Sequence, residues 1–162
     1  MRLTSTGMAI ARWLLALLAA SMAAAAILRL LTFLYVPWEA KSRGVETAYG
    51  MLADASYWAD AAWSLPPLAL GIFALSLPFA IAVSAFPEAR GDDPRIVRYA
   101  VVGGICPLFW TIVAATIYHS FEAETFRAIE VVELAARPEL GFCMIAGVCS
   151  GYCFGRLRTA FR

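Results

Sequence analysis

Arg29 is the only charge set well inside an apolar run of the chain, nine residues ahead of Trp38. On a helix that separation is about 13 Å, and helical side chains lean toward the N-terminus, away from the Trp38 end. An ionisable group at such depth in a hydrocarbon layer is a functional candidate that needs an acceptor. Because no Asp or Glu falls inside the four spans bounded below, apart from Glu139 at the very edge of the fourth, two neutral groups are expected to serve. They are the carbonyl of Ala74, left without its donor by Pro78, and the hydroxyl of Thr111.

His119, Glu122 and Glu124 form the second group with chemical potential, since a histidine and a carboxylate three residues apart share a helix face. A metal site needs three or four ligands, so these residues are expected to be an interfacial histidine with solvated neighbours, and no metal is expected. His119 is the single histidine, which excludes a two-histidine haem within one chain. The thiols of Cys106, Cys143, Cys149 and Cys153 all lie in apolar runs without a C-x-x-C spacing, as packing residues do. Redox work would require two of them close together, with Cys106 and Cys149 the pair at similar depth. The span serines Ser21, Ser76, Ser84 and Ser150 have no histidine or carboxylate beside them, and no G-x-S-x-G, H-E-x-x-H or phosphate loop occurs. No catalysis and no cofactor are therefore expected.

The elements that must hold these residues follow from composition. Of the 162 residues, 62% are hydrophobic and 15% charged, and the mean hydropathy of +0.72 lies outside the soluble range. Charges cluster between apolar runs long enough to cross about 30 Å of hydrocarbon. The expectation is an all-α integral membrane four-helix bundle, one domain, with spans near 9–36, 61–86, 98–119 and 139–157. Short amphipathic surface helices are expected in the two connectors 39–60 and 120–139. Pro67, Pro78 and Pro107 should kink their helices, and the breakers from Pro87 to Pro94 should form a tight hairpin turn. The basic start and the Ala24 to Ala26 stretch also fit a cleaved secretory signal, but the apolar character continues to Trp38.

Gly147, Gly151 and Gly155 recur every fourth residue of the fourth span, presenting bare backbone on one face where another helix can approach closely. The run Gly147-Val-Cys-Ser-Gly151-Tyr-Cys-Phe-Gly155-Arg156 resembles the close of small four-span bacterial inner-membrane proteins that finish on a glycine-rich helix. That resemblance implies a bacterial cytoplasmic membrane and no particular activity.

Arg2, Arg12, Arg90, Arg95, Arg98, Arg156, Arg158 and Arg162 fall on one side of such a topology, against Lys41, Arg43, Arg127 and Arg137 on the other. Positive residues favour the cytoplasm, so both termini are expected inside. The opposite face is acidic, and nothing suggests nucleic-acid binding. The expected partners are the lipid bilayer and other membrane chains or further copies of this one. The leading functional expectation is an accessory or assembly subunit working through helix contacts, with an exposed small-residue groove. A small oligomeric channel or carrier would instead show a polar track through Arg29, Thr111 and Thr116, and a thiol redox protein is the third reading.

Overall fold

Apolar segments that must satisfy every backbone donor without water can form helices, and helices are what the sequence builds. The computed structural model describes residues 5–45, 48–85, 94–122 and 137–160. Within them run α1 (Ser5–Ser42), a 3-10 turn (Ala48–Ala53), α2 (Ala55–Trp63), α3 (Leu65–Ala85), α4 (Pro94–Glu122) and α5 (Pro138–Ala160), with no strand among the described residues. Four stretches are long and apolar enough to cross a bilayer: Thr6–Ser42, Ala55–Ala85, Ile96–Ala114 and Pro138–Arg158. The chain is an all-α, multi-pass membrane bundle. The hairpin turn before Pro94 and the helix expected in the second connector lie outside the described residues.

The first helix is longer than its sequence suggests. At 38 residues it extends about 57 Å and continues through Pro37, which is fully buried. Pro37 deprives the Phe33 carbonyl of its usual donor. The Tyr57 hydroxyl replaces that donor at 3.0 Å, and the two rings lie 4.4 Å apart. This bond ties α2 to α1. Tyr57→Phe is expected to cost about 1 kcal/mol, read as an earlier midpoint when the protein is unfolded with SDS from mild detergent.

Pro67 corrects one expectation. Pro66 and Pro67 do not kink a helix; they occupy the first turn of α3, where a missing N–H sacrifices no intrahelical bond. The break falls at Ser64, whose N–H reaches the Asp60 carbonyl at 3.1 Å and whose carbonyl accepts from the Leu68 N–H at 3.2 Å. Bonded on both sides, α2 and α3 form one jointed unit, Ala55–Ala85, which is long and apolar enough to cross a bilayer, begins before residue 61 and takes in Asp60. The first connector thus carries a short helix, α2, continuous with α3. Its N-cap is Asp54, which accepts from the Ser56 N–H at 2.8 Å. That bond, with a second from the Ser56 hydroxyl, holds the Asp54 carboxyl below the usual carboxylate range.

Packing centres on α1. Ala16, Ala20 and Ala24, with Leu17, Ser21 and Ala25, are all buried, and their spacing puts them on one small-residue face. That face meets α5 and α3, while the broadest contact of all joins α4 to α5. The α3 helix lies against α1 and, more lightly, against α4. Cleavage near Ala24 to Ala26 would therefore cut the helix that supplies more buried core residues than any other among those described.

Candidate functional site

The three glycines sit where α4 and α5 come closest. A Cβ on Gly151 would overlap the Tyr99 carbonyl oxygen, one on Gly147 the Gly103 carbonyl oxygen, and one on Gly155 would meet the Ile96 Cα at 3.2 Å. Gly103 returns the arrangement, since its own Cβ would overlap the Gly147 carbonyl. Pro107 leaves the Gly103 carbonyl without its helical donor, and that oxygen faces the bare backbone of Gly147, the geometry of weak Cα–H···O contacts. The glycine face is used within the chain. It is not an exposed groove for another protein, because Gly151 and Gly155 are buried by α4.

At the end of the bundle carrying the termini, one polar knot joins all four spans. Ser84 of α3 accepts from the Trp13 indole N–H of α1 at 3.2 Å and from the Arg158 guanidinium of α5 at 3.1 Å. Arg158 also donates to the hydroxyl of Tyr99 on α4, with its Cζ 5.7 Å from the Tyr99 ring centroid. Phe154 fills the space between, edge-on to Trp13 at 5.7 Å and to Tyr99 at 5.0 Å. Sequence inspection missed this knot, since its members come from four helices, with Ser84 separated from Trp13 and Arg158 by 71 and 74 residues. The one available signal was the amphipathic pairing of an aromatic residue with arginine near span ends.

Higher in the bundle, a cavity of about 310 Å³ opens among α1, α3, α4 and α5. Cys106, Cys143, Thr111 and Trp110 are among its lining residues, in otherwise apolar walls. Cys106 shares this cavity with Cys143 rather than with Cys149, and all four thiols are free. Thr111 donates back to the Pro107 carbonyl at 2.9 Å. Pro78 lies inside α3, but the neighbouring carbonyl that receives outside donors is Leu75, which accepts from the Trp110 indole at 3.0 Å.

Arg29 lies elsewhere, which overturns the expected clamp. It lines a separate cavity of about 230 Å³ with Ala26, Leu30, Trp58, Ala61, Ala62 and Leu65, between α1 and the α2–α3 unit. No lining residue is common to the two cavities, so neither Ala74 nor Thr111 meets it there. The physical reason is rotation: Leu28 faces the central cavity, and one residue further turns Arg29 by about 100° toward the flank. Its Nε is buried without a hydrogen-bond partner, and its Cζ lies 5.9 Å from the Phe33 ring centroid.

No family model, curated protein or solved structure matches this chain. Among the described residues no three His, Cys, Asp or Glu side chains gather as a metal site would require. The side chains of His119, Glu122 and Thr116, together with Glu124, lie outside the described residues.

Proposed function

We propose that this chain is an accessory or assembly subunit of a bacterial cytoplasmic membrane, acting through helix–helix contacts with no catalysis of its own, and with both termini in the cytoplasm. The observation that carries the reading is Arg29. A guanidinium within a span, its Nε buried and unmatched, sits in a cavity walled partly by the exposed residues Ala26, Leu30, Trp58 and Ala62. Intramembrane charges are tolerated where they meet a partner group, and this one faces the flank of the bundle. The distribution of arginines supports the orientation. A channel or carrier selecting solutes with Arg29 draws less support, because Arg29 and Thr111 line different cavities.

Arg29→Leu suits a lipid-facing wall and should leave the chain inserted and folded. It is expected to release the chain from its native assembly on blue-native gels of digitonin-solubilised membranes. Solute flux through liposomes containing the purified protein, lost in the same variant, would overturn this reading in favour of a channel.

A further inference from the structure

The helix that neighbours Arg29 carries a carboxylate, Asp60 of α2. The α1 helix and the α2–α3 unit pack as neighbours, and the Tyr57 hydroxyl reaches the Phe33 carbonyl. One turn deeper, Arg29 shares its cavity with Ala61. Antiparallel helices matched at these two points put Asp60 level with Leu30, within one residue of Arg29 in depth. Asp60 is exposed, belongs to the spanning unit Ala55–Ala85, and has no ion-pair partner among the described residues.

The two charges occupy different flanks. Tyr57 of α2 bonds to α1, and Trp58, Ala61 and Ala62 line the Arg29 cavity, with Trp58 and Ala62 turned furthest from Asp60. Asp60 is rotated about 100° from Ala61 in the other sense. A carboxylate on one flank and an unmatched guanidinium on the other, at the same depth, are complementary across a head-to-tail contact. Rotation about an axis along the membrane normal preserves depth, and such heterologous contacts close into rings when the rotation divides a full turn.

We propose that the partner of this face is a second copy of the chain, with Asp60 of one copy seated in the Arg29 cavity of the next. The inference rests on the helix-contact reading and names the partner. Pairing flank to like flank would set Arg29 against Arg29, which like-charge repulsion disfavours.

The test uses the full-length chain, purified and reconstituted alone in liposomes, with donor and acceptor dyes on separate copies. Wild-type copies are expected to transfer energy beyond the random-density background. Arg29→Asp and Asp60→Arg should each lose about tenfold in self-association. Mixing the two variants should restore it, because each supplies the charge the other needs, and the doubly reversed chain should self-associate again. A wild type that stays at the random background overturns the proposal. If that monomeric chain still migrates in a larger native assembly, the helix-contact reading survives without it; if it also migrates alone, both fall. Recovery of folding stability by the doubly reversed chain without energy transfer would place the pair within one copy and overturn the proposal as well.

Discussion

Gly151→Ala is expected to force α4 and α5 apart and to cost about 3 kcal/mol, the upper part of the range for overpacking. The added methyl would overlap the Tyr99 carbonyl oxygen and come within 2.9 Å of the Ala100 Cα. Those atoms are backbone, so no rotamer change relieves the clash and the whole helix must move. The same substitution at Gly71 or Gly141 meets nothing within 4 Å. There it should be neutral or gain up to about 1 kcal/mol, since alanine is the better helix former. Unfolding in SDS from mild detergent would separate the cases. Equal losses at Gly151 and Gly71 would mean that the seam is not where the helices meet.

Tyr99→Ala should be about as damaging, at about 3–4 kcal/mol for loss of a large buried aromatic side chain. Tyr99 is 8% exposed, and its ring is packed by Phe154 while its hydroxyl accepts from Arg158. Tyr99→Phe isolates the second effect. It keeps the ring and removes one acceptor of the guanidinium, an expected loss of about 2 kcal/mol for a charge-assisted bond. Ser84 remains as the other acceptor, so the Phe variant should stay folded. An unchanged midpoint for Tyr99→Phe would show that solvent or lipid headgroups satisfy Arg158 equally well.

Long-wavelength features of the sequence carried through: the four apolar runs became the four spans, and the glycine spacing marked the tightest helix contact. Both depend on residue type and chain period alone, which is why they were legible. Less legible were features set by rotation and by bonds between distant segments. Thr111 has a strong local acceptor in the Pro107 carbonyl, and one step of helical phase sends Arg29 to a different cavity from Leu28. The fate of the proline-freed carbonyls was equally hidden, because Tyr57 and Phe33 are joined across a chain reversal. Pro66 and Pro67 read as kinks only for a helix running unbroken from about residue 61, whereas the break at Ser64 puts them at a helix start. Two local signals were available and unused: the small-residue face of α1 at Ala16, Ala20 and Ala24, and the tolerance of a helix start for proline.

The contact pattern also bears on biogenesis. The α5 helix, broadly joined to both α4 and α1, leaves the ribosome after the other three. Until it is inserted, the part of the alanine stripe of α1 that α5 covers and the bare backbone around Gly103 have no companion in the nascent chain. The partly made protein must wait in the membrane with those surfaces turned to lipid, a stage at which a translocon or insertase has something to shield.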